Sequence, residues 1–528
     1  MRIQKRWQQA EQAFDSGDWA NAEFRFRELL QFPEFALVAR FRLSQLAGKR
    51  GDLRSAVNET LAAVNTRILE DAEGLSTLVD RLLNFGEAEA AVAVARRPAL
   101  AQSRDVRALS DAGRMLYYND LTDQAFELLS RCLQLGADGA RLHHMLGGCH
   151  LRQGDVEAAE ASYRRSLALE PAAPFVHWSM AKLRRQSTSS NHVDTLRTLL
   201  TSPPSDPADE AVLCYALFKE LDDLGDHAAA WPMLERGMQL QRGQSGYDIE
   251  AELALLRRVQ AIDTEMPPPP PAAMAGSGSI SPIFIVGLPR AGSTLLERAF
   301  GLHSAVHSGG ELTDLPRQVR MSLNLASSAQ LDESHVAAMT RLDPMDLGRR
   351  YRSHVAWRAD GKPRLTDKLP LNFRFIGAIL RAMPDARIVH IHRDPVAACF
   401  SNLREYFFGG NYGYSYDQAE VARYVIAYRE LMDYFDQRYP GRVLSLPYAE
   451  LASNPDHALR RTFEHCQLPW EPQCGQVERN TGQVSTASAM QVREPIHTRS
   501  VAHWKHYASH LQPMIDALGN LAADKVSP

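Results

Sequence analysis

Apolar residues in the N-terminal half of the chain return at helical spacing. In the segment DVEAAEASYRRSLALEP, Val156, Ala159, Tyr163, Leu167 and Leu169 follow that spacing before Pro171, a helix stop. Turn signals interrupt the pattern at a steady interval: SGDW at Gly17, RGDL at Gly51, FGEA at Gly86, NDLT at Asp120, QGDV at Gly154 and LGDH at Gly225. The steps are 34, 35, 34 and 34 residues, then 71, two periods with one degenerate unit between. An alanine stands five residues after each turn, at Ala22, Ala56, Ala91, Ala125, Ala159 and Ala230. Two helices meeting across a short turn need a small residue at such a fixed offset.

A different pattern begins after residue 280. ISPIFIVG (280–287), ARIVHIH (386–392) and GRVLSLP (441–447) read as strands, the first two rich in Ile and Val as buried parallel strands are. Helical patterns over 293–302, 371–382, 396–407 and 417–437 separate them. This order predicts an α/β domain with a central parallel sheet, its ligand at the carboxyl ends of the strands. Between the two patterns lies MPPPPPAAMAGSGS (266–279), a semi-rigid proline spacer followed by a flexible Gly/Ser tail.

The first pattern resembles the tetratricopeptide repeat in its period, its Gly-Asp turn and its later proline. The expected organisation is an all-α repeat solenoid over 1–265, a linker over 266–281, and a catalytic α/β domain over 282–528. Such an array either binds a peptide or partner protein on its concave face or serves as a scaffold against a neighbouring domain or second subunit. No cluster of lysines that would clamp a peptide carboxylate is visible, and homo-oligomerisation stays open.

Composition narrows the picture by exclusion. At 528 residues the chain is too long for one core, and its net charge of −4 argues against a broad basic surface for nucleic acid while leaving room for a local basic pocket. The six cysteines, Cys132, Cys149, Cys214, Cys399, Cys466 and Cys474, form no CxxC pair and read as free buried thiols. No apolar run reaches the roughly 18 residues of a membrane span, and the N-terminus carries no apolar leader segment. The expected location is the cytoplasm.

The chemistry lies in two loops. PIFIVGLPRAGSTLLE (282–297) runs from strand to helix like a phosphate-binding loop, but Ser293 stands where a nucleotide-triphosphate loop has lysine, and Arg290 sits inside the loop. Its glycines turn N–H groups toward an anion, Ser293 and Thr294 add hydroxyls, and the next helix presents its positive end. In HIHRDPVAACFSNLREYF (390–407), Arg393 ends a strand, Pro395 suits a first helical turn, and Ser401 lies about two turns on. Arg393 and Ser401 are expected to converge on a second phosphate.

This pair of loops resembles those of sulfotransferases that use 3'-phosphoadenosine 5'-phosphosulfate (PAPS), and the catalytic half is similar to tyrosylprotein sulfotransferases. The resemblance implies that Arg290, Ala291, Gly292, Ser293 and Thr294 hold the 5' side, and that Arg393 and Ser401 hold the 3'-phosphate. Tyr448, in LSLPYAEL, would meet the nucleotide. Gln491, Val492 and Arg493, in SAMQVREPIH, would close over it, and Ser488 would stabilise the transition state. Glu311, in HSGGELTDLPR, matches the family's general base, and Lys368, in LTDKLPLNF, its catalytic lysine. Sulfuryl transfer needs an in-line hydroxyl, a base for its proton, and cations where charge builds on the departing oxygen. Glu311 would be the base, Arg290, Lys368 and Ser488 the charge stabilisers, PAP the product, and no metal is required. Two positions depart from the family: His503 stands at a lysine position and Glu405 at an arginine position, beside Arg404.

The similarity favours peptidyl tyrosine as acceptor, presented by the repeat array; a glycan, lipid or small-molecule hydroxyl stays open. The aromatic, glycine-rich EYFFGGNYGYSYDQ (405–418) is either a mobile lid or an ordinary packing loop. A repeat adaptor with an inactive nucleotide-binding domain and a magnesium-dependent kinase are the competing classes. Glu311 and Lys368 weigh against the first and Ser293 against the second.

Overall fold

The computed structural model describes residues 2–66, 71–272, 280–327, 331–408, 410–484 and 496–523. Part of the expected linker (273–279) and four expected site residues, Ser488, Gln491, Val492 and Arg493, lie outside the described residues. Contacts gather the chain into two compact units, Met1–Cys149 with Thr313–Leu342, and His150–Leu312 with Asp343–Pro528.

The repeat region folds as paired helices, beginning with Arg2–Asp15 and Trp19–Leu29, then Pro33–Lys49 and Leu53–Val64. All six expected turn residues hold a left-handed backbone, with φ 79° at Gly17, 77° at Gly51, 82° at Gly86, 59° at Asp120, 94° at Gly154 and 79° at Gly225. Asp120 is the exception to glycine, and aspartate tolerates this region better than most residues. The six spaced alanines are at most 1 % exposed, as close helix contact demands. Asp18, Asp52, Asp155 and Asp226 cap the helices after their turns by accepting from backbone N–H groups, each cap contributing about 1 kcal/mol. The degenerate unit is the pair of short helices Pro174–Lys182 and Val193–Thr201.

Within the first unit, the helix Asp314–Leu323 packs on the repeat helix Leu53–Val64. Arg54 Nε donates to the Met321 carbonyl at 2.7 Å, and the Arg54 N–H donates to Asn324 Oδ1 at 2.8 Å.

The second unit holds a five-stranded parallel sheet: β1 (Ser281–Gly287), β2 (Val306–Ser308), β3 (Arg364–Asp367), β4 (Arg387–His392) and β5 (Val443–Pro447), in the order β2-β3-β1-β4-β5. The expected strands are β1, β4 and β5; β2 and β3 are three and four residues long, too short to show a period. β1 is central and buried throughout, with Phe284 opposite Asp367 of β3 and Ile388 of β4. Since the chain leaves β1 toward one edge and later crosses to the other, the β1 loop opens at the switch point where open parallel sheets bind ligands.

Helix limits differ from expectation in two places. The helix expected over 396–407 is Pro395–Leu403. The one expected over 371–382 opens as a 3-10 turn, Pro370–Phe375, before Ile376–Ala382, because proline at the first position tightens the start. The first residues of the proline segment are held: Arg381 donates to the Pro267 carbonyl at 2.7 Å and Arg442 to that of Pro270 at 3.0 Å. All six cysteines are buried, and none is in a disulfide. Among the described residues, no helix is long and apolar enough to cross a membrane, and no metal-ligand cluster is present.

Candidate active site

Each of the five strands is followed closely by at least one expected site residue. Arg290 follows β1, Glu311 follows β2, Lys368 follows β3, Arg393 follows β4 and Tyr448 follows β5. Parallel strands in register put all five loops at one edge of the sheet.

The β1 loop is built for close approach. Gly292 has φ 105°, and a Cβ there would stand 2.4 Å from the Tyr448 ring, so only glycine lets the loop lie against that ring. Arg290 is itself left-handed, at φ 65°, an uncommon state for a residue with a side chain. Ala291 is buried in the sheet core, so its contribution to a ligand is its backbone alone. Ser293 and Thr294 open the helix Ser293–Gly301, whose start has no side-chain cap. Its uncapped N–H groups carry the partial positive charge that favours an anion.

Arg393 gathers the second loop. Its Nη1 donates to Ser401 Oγ at 2.8 Å and its Nη2 to Ser500 Oγ at 2.9 Å, and its guanidinium lies 4.1 Å over the Tyr448 ring. Tyr448 and Ser500 are joined by a hydroxyl hydrogen bond of 2.9 Å. Asp394 caps the helix bearing Ser401 through the Ala397 N–H. The Arg393 Nε is buried and has no hydrogen-bond partner among the described residues. Burial lowers the Arg393 pKa; Tyr448 opposes this, and the Arg290 and Arg404 charges add to it. The result is a hydroxyl-ringed cation with unspent donor capacity. Ser500 was not anticipated, since nothing local in the sequence distinguishes it.

Lys368 is fully buried, and its ammonium stands 2.7 Å from Glu311 Oε1, whose side chain is 38 % exposed. The Glu311 loop is fixed by backbone: Lys368 N–H donates to the Gly310 carbonyl at 2.9 Å, and the Gly310 N–H donates to Glu297 Oε1 at 2.9 Å. Thr366 Oγ1 donates to the same Glu297 oxygen at 2.9 Å. Glu297, on the helix of the anion loop, thus ties that helix to the Glu311 turn, a role the sequence does not signal. Burial, and next the Glu311 charge, raise the Tyr412 hydroxyl pKa.

The two departures from the family find partners. His503 Nε2 lies 2.9 Å from Asp222, which also accepts from Tyr507 at 2.6 Å and lies 3.8 Å from Arg404. Glu405 pairs with Lys182 and lies 3.6 Å from Arg290. Around this segment Tyr406, Tyr414 and Tyr416 are buried, Phe408 is exposed, and Tyr414 stacks on Tyr424 at 3.8 Å between centroids.

Similarity to known proteins follows the same outline. Residues 282–472 match the sulfotransferase family and residues 140–173 the tetratricopeptide repeat. An uncharacterised protein of Aquifex aeolicus is 28 % identical over 69 % of this chain and 48 % of its own length. The chain therefore spans about half the length of that relative. A putative protein-tyrosine sulfotransferase of Caenorhabditis briggsae is 23 % identical over 42 % of this chain and 80 % of its own. A protein-tyrosine sulfotransferase of Drosophila melanogaster is 24 % identical over 36 % and 38 %. Among solved structures, the sulfotransferase domain from the curacin biosynthetic pathway is 17 % identical over 46 % of this chain and 97 % of its own, with a TM-score of 0.31. A Mycobacterium avium sulfotransferase is 16 % identical over 63 % and 95 %, with a TM-score of 0.28. Residues 282–472 are thus a sulfotransferase-family domain, carried behind a region that contains a tetratricopeptide repeat.

Proposed function

We propose that the chain is a sulfotransferase that moves a sulfuryl group from PAPS to an acceptor hydroxyl, with peptidyl tyrosine as the favoured acceptor. The observation that carries this reading is the Arg393 cluster, Ser401, Ser500 and Tyr448 around one guanidinium, joined through the Tyr448 ring to Gly292 at the uncapped helix start of the β1 loop. Such a pair of anion sites suits a nucleotide bearing phosphate on both its 3' and 5' sides. The fit is supported by the buried Arg393 Nε, which has no hydrogen-bond partner among the described residues, and by the Gly292 surface pressed against the Tyr448 ring, which a Cβ would fill.

When bound, PAPS supplies an activated sulfuryl group on a phosphate leaving group. Arg393 and Ser401 hold the 3'-phosphate, while Arg290, Ser293, Thr294 and the backbone of Ala291 and Gly292 hold the 5' side. Glu311 takes the acceptor proton. Lys368, held beside it, offers a buried ammonium to the charge that develops on the departing oxygen. Ser488, Gln491, Val492 and Arg493 are assigned to this site from the family resemblance.

The tyrosine preference is supported by the names of the two animal relatives. The decisive measurement is a thermal shift with PAP, PAPS and Mg-ATP. PAP and PAPS are expected to stabilise the protein without magnesium; a preference for Mg-ATP would sink the reading. Radiolabelled PAPS with a host extract then identifies the acceptor. Label on a glycan, lipid or small molecule in place of protein would overturn the tyrosine assignment and leave the sulfotransferase one standing.

A further inference from the structure

The β1 loop turns on a hydrogen bond that comes from the helix of the other phosphate loop. The Leu288 carbonyl accepts from the Ala291 N–H at 3.3 Å, so residues 288–291 form a tight turn with Pro289 second and Arg290 third. Proline suits the second place. A left-handed third place normally takes glycine or asparagine, and here it holds Arg290 at φ 65°. The commoner turn, with negative φ at the third residue, is the one an arginine prefers, and it rotates the peptide between the two central residues by about half a turn.

Asn402 opposes that rotation. Its Nδ2 donates to the Pro289 carbonyl at 3.2 Å and to the Ala398 carbonyl, one helical turn back, at 2.9 Å. Two carbonyl acceptors fix which end of the amide is nitrogen. Asn402 is fully buried and Pro289 is buried too, so the pinned oxygen is turned into the protein. The helix end that carries the amide is itself held, since Tyr215 donates to the Leu403 carbonyl at 3.0 Å. The Asn402 Oδ1 is buried as well and has no hydrogen-bond partner among the described residues. An apolar side chain would avoid that desolvation penalty, so what the amide contributes at this position is its donor.

Building on the donor-site reading above, we infer that Asn402 is a positioning residue for the 5' side: its hydrogen bond holds the Pro289–Arg290 peptide in the orientation that keeps the Pro289 carbonyl oxygen away from the phosphosulfate. A loop that cups an anion turns N–H groups inward and carbonyls outward, and one carbonyl facing the other way sets a partial negative charge against the ligand. The Arg290 side chain pairs with Glu405; Asn402 sets only the backbone of the turn. Ser401 and Asn402 are neighbours on one helix and serve opposite ends of the nucleotide, Ser401 through Arg393 and Asn402 through Pro289.

The test is calorimetric binding of PAP and of AMP to the full chain at pH 8, with melting temperature followed in parallel. Asn402→Leu, similar in size and without a donor, is expected to weaken both nucleotides about 5–10-fold, the order of one hydrogen bond. Asn402→Asp, which sets an oxygen against the same two carbonyls, should weaken both at least as much. PAP and AMP share the 5' end, so an equal loss places the effect there, whereas a loss for PAP alone would mean that Asn402 acts through Ser401 on the 3'-phosphate. Glycine holds a left-handed turn unaided, so in an Arg290→Gly background Asn402→Leu should cost no more than about twofold. A merely structural asparagine would lower the melting temperature and the affinity alike whichever residue stands at 290. Wild-type affinity in Asn402→Leu, a loss confined to PAP, or the full loss repeated in the Arg290→Gly background would each overturn the proposal. Absence of PAP binding by the wild type would instead remove the donor-site reading, and this inference with it.

Discussion

Lys368 Nζ lies 2.7 Å from Glu311 Oε1, so a fully buried ammonium meets a carboxylate that solvent reaches. Parallel pairing of β2 and β3 brings the two loops side by side, and the Gly310 carbonyl accepting from the Lys368 N–H sets their spacing. Glu311→Gln is expected to keep PAP affinity while losing about 10²–10⁴ in turnover, the usual worth of a positioned base. Binding calorimetry beside a single-turnover assay checks both halves; unchanged turnover removes Glu311 as base.

Arg393 should report the 3'-phosphate specifically. Arg393→Met is expected to weaken PAP by about 10–100-fold, the worth of hydrogen bonds to a charged group, and to leave AMP affinity nearly unchanged. Calorimetry with the two nucleotides compares them. Equal losses for both would place the Arg393 cluster elsewhere than on the 3' side.

Gly292→Ala should be disproportionately harmful. The added Cβ would meet the Tyr448 ring at 2.4 Å on a backbone that side chains rarely adopt, and overpacking of this kind typically costs about 1–3 kcal/mol. Loss of PAP binding with a retained far-ultraviolet circular dichroism spectrum is the expected result. Wild-type affinity would show that the loop does not need its contact with Tyr448.

Asp222 gives the second unit an acid-sensitive joint. Burial raises its carboxyl pKa, but the hydrogen bond from His503, the Arg404 charge and the Tyr507 hydroxyl outweigh that and hold it well below the usual carboxylate range. A depressed folded pKa means stability present above the unfolded value of about 3.9 and lost as pH falls through the folded one. Asp222→Asn is therefore expected to lower the melting temperature at neutral pH and to flatten its decline between about pH 4 and 2. A decline identical to wild type would remove Asp222 as the group responsible.

The expected site residues were legible where chemistry is local. A loop of Gly292, Ser293 and Thr294 between an apolar strand and a helix has the composition of an anion loop, and Arg393 and Ser401 stand at the two ends of one short helix. Ser500, Glu297 and Lys182 were not legible, because each acts on a residue at least 13 positions away in sequence, and in the case of Lys182 on one 223 positions away. The carboxylate at Glu405 read as a departure from the family until its two cations came into view.

By itself the sequence determined the helix-pair period, through turns that require a left-handed residue and alanines that permit close contact, and it determined β1 and β4 through runs of buried Ile and Val and β5 through a short apolar run. Those are local demands of backbone and burial. Only the tertiary structure decided that β2 and β3 exist, that Glu311 meets Lys368, and that repeat helices reach Leu403, Arg404 and Glu405. Strands of three and four residues carry no period of their own, and pairs of buried charges form only once a shared sheet and its flanking helices have brought distant segments within a few ångströms.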